Sequence, residues 1–430
     1  MKRILLFLPV VLTFFCGAQE ASEKPNYGIS FSGFVKNDFF YDTRESHSIR
    51  EGHFLLYPKE KSYDAEKNDI NAIPSFNFLS IQTRLTGKIS APDAFGAKTS
   101  GVIEADFFGN ENAAFVDVNG FRLRHAFVKL NWKKTELLAG QFWHPFFIPG
   151  CFSGVISFNT GAPMQPFSRN PQIRVQQKMG KIALAGIASA QRDFTSPMGS
   201  ASQRWSSIPN ISTVVSYETA KEGSSFLSGF ALDYKALQPL LTTQKETNTY
   251  QTNEKVNGIS ATAFLAWKNP KFSYKLQAIY GQNLFNLTML GGYAVHEITD
   301  PSKNRVSYTT LNSLTAWTEF QTEGKRVQFA LWAGYSLNLG SDQTILYYSD
   351  QVEGSNATVR GANIKSLLRM SPRIVFIQGK VNIAAEVEYT NAAFATINES
   401  GALNRNEYGV ITDWENVANT RFLLSLIYHF

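Results

Sequence analysis

The sequence predicts an all-β fold, a transmembrane antiparallel β-barrel of about sixteen strands, on three observations. Side-chain character alternates with period 2 from residue 28 onward, short and long connections follow one another in turn, and the chain ends on an alternating strand closed by Phe430. Composition agrees. Aromatics reach 13% with 34 Phe, while charged residues are only 18%, below the roughly 25% of soluble proteins. Such a balance fits a wall with one apolar and one wet face.

The first twenty residues read as a targeting segment. Lys2 and Arg3 precede an apolar run from Ile4 to Phe15, and Cys16-Gly17-Ala18 supplies small residues before Gln19. Residues 1–18 are therefore expected to be a signal peptide; acylation of Cys16 is the alternative. The run is too short for a spanning helix of about 20 residues. No later stretch reaches that length, so a membrane role requires closed strands, which satisfy every backbone polar group within the sheet. Without Lys2 and Arg3 the chain has 39 bases against 35 acids, a net +4 that is too mild and dispersed for nucleic-acid binding. One cysteine, Cys151, then remains, and it is expected to be a small buried loop residue with no internal disulfide.

After a short segment at 19–27, the barrel is expected to occupy 28–430. Its strands are placed near 28–41, 77–90, 99–108, 120–132, 135–144, 171–179, 181–191, 210–218, 225–235, 256–268, 271–281, 306–321, 325–338, 365–377, 380–390 and 416–430. Phe78 to Ile89 is read as one uninterrupted strand, with Leu79, Ile81, Thr83, Leu85 and Ile89 on one face and Ser80, Gln82, Arg84, Thr86 and Lys88 on the other. In the tenth strand Ile259, Ala261, Ala263, Leu265 and Trp267 share a face opposite Ser260 and Thr262. Trp132, Trp267, Tyr335, Tyr389 and Tyr428 are placed in interfacial aromatic girdles. The strand at 120–132 has two phases: Arg122 and Arg124 imply one, Val128 and Leu130 the other, so it holds a bulge or is covered on both faces.

Short turns at Trp132–Thr135, Met179-Gly180, Thr219–Ser224, Lys268–Pro270, Gln321–Gly324 and Gln378-Gly379 are assigned to the periplasmic side. Eight long polar loops, 42–76, 109–119, 145–170, 192–209, 236–255, 282–305, 339–364 and 391–415, are assigned outside. The last strand resembles the C-terminal strand of bacterial outer-membrane proteins, which implies recognition by the barrel assembly machinery. It is expected to close against the first strand near Ile29, Phe31 and Val35.

Sixteen strands enclose more space than wall side chains fill, so a water-filled channel is expected. Arg84, Arg122, Arg124, Arg174, Arg369, Arg373 and Arg421 fall on inward positions, as do Glu104, Asp106, Glu319, Glu386 and Glu388 on other strands. They are read as a basic wall facing an acidic one. From Leu137 to Arg192 there is no Asp or Glu, and the loop 145–170, rich in Phe, Gly, Pro and Asn instead of charges, is expected to fold inward and narrow the pore. Arg169 and Arg174, with Arg122 and Arg124 beside them, would then form a weakly anion-preferring constriction. A subunit interface is the other placement for this loop.

Three segments carry a family resemblance. Gly33-Phe34-Val35-Lys36-Asn37-Asp38, Arg122-Leu123-Arg124-His125-Ala126-Phe127 with Gly140-Gln141-Phe142-Trp143, and Arg169-Asn170-Pro171-Gln172-Ile173-Arg174 resemble the DcaP-like trimeric porins. The resemblance implies a homotrimer in outer-membrane lipid that passes small hydrophilic, often anionic solutes by passive diffusion, with Arg122, Arg124, Arg169 and Arg174 as pore residues. Only about ten residues separate Gln19 from the first strand, so the family's long N-terminal extension has no counterpart.

No cofactor, metal or catalytic residue is expected. Gly150-Cys151-Phe152-Ser153-Gly154 misplaces its serine for a nucleophile elbow, His144 has no neighbouring acid in its stretch, and the other histidines lack ligand spacing. The alternatives to a general porin are a substrate-specific channel and a non-conducting barrel that anchors or displays its loops.

Overall fold

The computed structural model describes residues 27–49, 51–109, 120–348 and 358–430. The signal segment 1–18, nearly all of 19–27 and the expected loop 109–119, apart from Gly109, lie outside them.

Period-2 sequence becomes wall throughout. Beyond strands inside the long loops, such as Gly291–Asp300, the barrel wall of the described residues has sixteen strands: β1 Gly28–Asp42, β2 Ser75–Leu79 with Arg84–Ala94, β3 Ala97–Asp106, β4 Arg122–Asn131, β5 Thr135–Trp143, β6 Arg169–Met179, β7 Ile182–Ser189 and β8 Asn210–Lys221. They continue as β9 Ser224–Leu237, β10 Val256–Lys268, β11 Phe272–Gln282, β12 Arg305–Thr322, β13 Val327–Ser341, β14 Ile364–Gln378, β15 Val381–Ala395 and β16 Trp414–His429. Each pairs antiparallel with its neighbours, and β1 closes the ring by pairing with both β2 and β16. Closure leaves no sheet edge to expose unpaired backbone in lipid.

The outer face carries the large apolar residues. On β9 and β10, Phe230, Leu232, Ile259 and Trp267 are exposed while Ala231, Ser260 and Thr262 are buried. The five aromatics expected in girdles, Trp132, Trp267, Tyr335, Tyr389 and Tyr428, all lie on the exposed side, but Tyr335 and Tyr389 fall mid-strand in Val327–Ser341 and Val381–Ala395 and not near a strand end. An apolar belt around a closed polar-walled barrel is the arrangement of an outer-membrane type barrel.

Three local expectations change. β2 is not continuous: residues 80–83 form a turn, with Thr83 N–H bonded to Ser80 O at 3.0 Å. Ile81 is buried inward, whereas Leu85 is exposed outward, so the two do not share a face. The turn brings the Thr83 hydroxyl oxygen to the Lys36 N–H at 3.2 Å, replacing a missing ladder bond. The phase of β4 is settled by a bulge, because Glu104 pairs with His125 but Ala105 pairs with Leu123. Arg124 and His125 are both buried as a result, while Leu123 and Val128 point out. Finally, β16 meets β1 from Phe34↔His429 to Asp42↔Arg421, and Phe430 exchanges backbone bonds with Gly33. Ile29 pairs with Ile89 and Phe31 with Gly87 of β2, so of the three expected partners only Val35 lies against the last strand. The seam is tight: a Cβ on Gly33 would stand 2.1 Å from Arg84 O and 2.8 Å from the Phe430 ring.

Candidate functional site

The interior is filled by chain as well as by water-facing wall. Residues 144–168 leave β5 at Trp143 and return at β6, and in between Phe146, Phe147, Ile148, Phe158 and Met164 are buried. Phe54, Phe167 and the wall residues Phe264, Ile279, Trp317 and Trp332 join them in one cluster. Each buried Phe contributes roughly 1.5–3 kcal/mol. Apolar residues in a nominally polar loop thus have a core to enter.

The far wall holds this inner loop by its backbone. Gly154 N–H donates to Glu319 at 2.7 Å, Ile156 N–H to Glu386 at 2.7 Å and Ser157 N–H to Glu386 at 3.2 Å. Asn159 Nδ2 donates to both Glu388 oxygens at 3.0 Å. Wall donors complete the seat: Gln277 reaches Phe146 O at 2.8 Å, Lys275 reaches Phe152 O at 2.9 Å and Lys36 reaches Ile156 O at 2.6 Å. An irregular segment at membrane depth requires such satisfaction of its backbone groups.

A second segment enters from the first long loop, which is not the plain polar loop expected. Ser46–Ile49 and Phe54–Pro58 pair as a hairpin, with Phe54, Leu55, Leu56 and Tyr57 all buried. Phe54 meets Phe158 and Phe167 edge-on at 5.7 and 5.4 Å, so the hairpin rests on the inner loop. Arg369 donates to Leu56 O at 2.6 Å and Arg421 to Gly52 O at 2.6 Å, tying it to the wall. The signal in the sequence was the run Phe54-Leu55-Leu56-Tyr57 inside a polar loop.

Charges pair locally instead of dividing into a basic and an acidic wall. Arg122 meets Asp106 at 2.9 Å, and Arg124 meets Glu104 at 2.7 Å and Asp106 at 2.9 Å. Arg84 approaches Glu104 at 3.7 Å. Arg169 is buried against Asp193 at 2.6 Å, with its guanidinium over the Trp143 ring at 5.1 Å. Across the barrel, Arg369 pairs with Glu388, Arg373 with Glu319 and Arg421 with Asp42 at 3.3, 3.0 and 2.6 Å. Buried charges are costly unless paired in this way, which explains why opposite signs sit on adjoining strands. Arg84, Glu104, Asp106, Arg122, Arg124 and Arg169 therefore form one cluster. Arg174 stands apart, bonded to Gln176 at 3.2 Å, and Glu386 and Glu388 lie under the inner loop. Asp193, Lys36, Asp38 and His53 are added to the site by the fold alone.

Between this cluster and the inner loop lies a cavity of about 380 Å³, lined by Phe34, Arg84, Glu104, Arg124, Trp143 and Ser157 among others. Elsewhere His144 does acquire an acid, Asp233 of β9 at 3.6 Å. The Ser212 hydroxyl donates to that same carboxylate at 2.6 Å, so the serine proton is directed to the acid and not to the histidine. A base-activated serine requires the opposite order.

No family model matches the chain, and no curated protein matches it in sequence. Its fold is similar to that of the outer membrane channel DcaP of Acinetobacter baumannii, with a TM-score of 0.63 at 16% identity over 95% of this chain and 100% of that one. It is also similar to in-vitro folded OmpT, an outer membrane protein of Vibrio cholerae, with a TM-score of 0.52 at 7% identity over 96% and 100% of the two chains. The trimer form of OmpT gives a TM-score of 0.52 at 7% identity over 94% and 99%. At these identities the likeness is one of fold.

Proposed function

We propose that the chain is a passive diffusion channel of the bacterial outer membrane for small hydrophilic solutes, with a mild preference for anions. The observation that carries this reading is the inward face of β2–β6 beside the cavity. Register places Arg84, Lys88, Arg122, Arg124, Lys129 and Arg174 on it against Glu104, Asp106 and Glu136. On the far wall the carboxylates of Glu319, Glu386 and Glu388 are taken up by the inner loop. The excess of base therefore faces the open side, where it favours anions by field strength. The name of DcaP as an outer membrane channel supports the conducting reading, and the OmpT trimer form supports assembly as a homotrimer in outer-membrane lipid.

A substrate-specific channel is the second reading, favoured by the filling of the lumen by two segments where a general porin needs an open bore. Reversal potentials across a salt gradient test the first proposal; clear cation selectivity overturns the anion preference. Liposome swelling with neutral sugars against small carboxylates then separates general from specific passage.

A further inference from the structure

The hairpin formed by Ser46–Ile49 and Phe54–Pro58 covers the inner loop, and His53 sits at its turn. The ring is buried between two aromatic faces, Phe40 of β1 at 6.0 Å and Phe158 of the inner loop at 4.8 Å. Its Nε2 lies 2.7 Å from Asp38 Oδ2, and since a carboxylate only accepts, Nε2 carries the proton. Nδ1 is buried with no hydrogen-bond partner among the described residues.

The charges around it lie on four strands, β1, β14, β15 and β16. On β1 Lys36 lies 3.2 Å from Asp38, whose other oxygen accepts from the Ser425 hydroxyl of β16. On β16 Arg421 donates to the His53 carbonyl at 3.4 Å and pairs with Asp42 of β1. On β14 Arg369 donates to the Leu55 and Leu56 carbonyls and pairs with Glu388 of β15. The inner loop adds none, for 145–168 contains no Asp, Glu, Lys, Arg or His.

We propose that His53 is a pH-sensitive latch: neutral, it seats the hairpin on the inner loop, and protonated, it releases it. A second proton must go to Nδ1, which gains no acceptor, and the new charge faces Lys36 and Arg421 while Asp38 is already shared with Lys36. Burial first, then those two cations, hold the ring below the ordinary histidine value against the pull of Asp38. The direction follows. Above about 6.5 the ring is neutral whether seated or released, and the latch is at full strength. As pH falls below that value the released hairpin takes up a proton that the seated one does not. The ratio of released to seated hairpin then rises by up to about tenfold per pH unit. Any effect on passage rests on the channel reading above; the release itself does not.

The test uses the full chain in lipid vesicles, measuring hydrogen exchange at the amides of residues 54–57 at pH 7.5 and 5.5, corrected for intrinsic rates. The wild type is expected to lose protection severalfold at the lower pH. His53→Gln and His53→Phe are expected to show the same protection at both. Unchanged wild-type protection, or an equal loss in both variants, overturns the latch. Single-channel currents on the same samples separate the two ideas. Release without current at either pH supports the latch and counts against the channel, whereas current that rises on acidification in the wild type alone supports both.

Discussion

Glu386 of β15 accepts the N–H of Ile156 at 2.7 Å, so a carboxylate of the far wall holds a loop that leaves the barrel between β5 and β6. The same side chain accepts from Ser157 at 3.2 Å, and Glu319 and Glu388 flank it with parallel roles. The position of the inner loop is therefore a property of wall acids, and it can be altered one acid at a time.

Glu386→Gln keeps the size of the side chain but turns one acceptor into a donor facing an N–H. Loss of one such hydrogen bond costs about 0.5–1.5 kcal/mol. Faster hydrogen exchange at residues 154–159 is expected, together with larger and noisier single-channel conductance. Unchanged exchange there would show that the apolar cluster alone seats the loop.

Arg369 carries a heavier burden, since it reaches the hairpin and the loop and is fully buried beside Glu388. Arg369→Met leaves that carboxylate unpaired and is expected to destabilise the barrel by about 3–5 kcal/mol. Adding Glu388→Gln should recover part of the loss, measured as the urea midpoint of unfolding from vesicles. Simple additivity of the two would contradict the coupling.

Arg174 has no acidic partner within salt-bridge distance among the described residues, which makes it the cleanest probe of selectivity. One charge acts on a solute about 7 Å away with about 0.6 kcal/mol in water, so Arg174→Glu changes the balance by about 1.2 kcal/mol. Anion permeability is expected to fall up to about sevenfold and cation permeability to rise by as much, so the anion-to-cation ratio falls up to about fiftyfold at low ionic strength, and less as salt screens it. Reversal potentials at two salt concentrations give both quantities.

Phe230 lies outward at the middle of β9 and is 49% exposed, next to fully buried Ala231. Phe230→Arg puts a charge in the lipid and is expected to cost about 2–4 kcal/mol near the midplane. Folding yield into vesicles should fall accordingly. Normal yield would mean that this face is covered by protein or lies outside the hydrocarbon.

The wall was legible because a strand buried on one side repeats every two residues, and no local detail can hide that period. The interruption in β2 was not, because Ser80-Ile81-Gln82-Thr83 alternates whether it runs straight or turns inward. The bulge at Arg124 and His125 was visible only as a clash of phases, which pairing with Glu104 resolves. The arginines were legible as inward, since lipid excludes them, but their partners were not: Asp193 reaches Arg169 from a different loop, 24 residues on. The hairpin bearing His53 was hidden for the opposite reason, as four apolar residues do not change the average of a long polar loop.

The inner loop carries no acid, base or histidine between 145 and 168, so it is electrically silent at any physiological pH. On the channel reading proposed above it is a neutral spacer whose shape would set the bore, while the ionisable groups lie on the wall strands, the first-loop hairpin and the loop that bears Asp193. Size and charge discrimination would then sit on separate parts of the chain. A graft that exchanges this spacer alone should rescale the cut-off for solute size while leaving ionic preference where the strands put it.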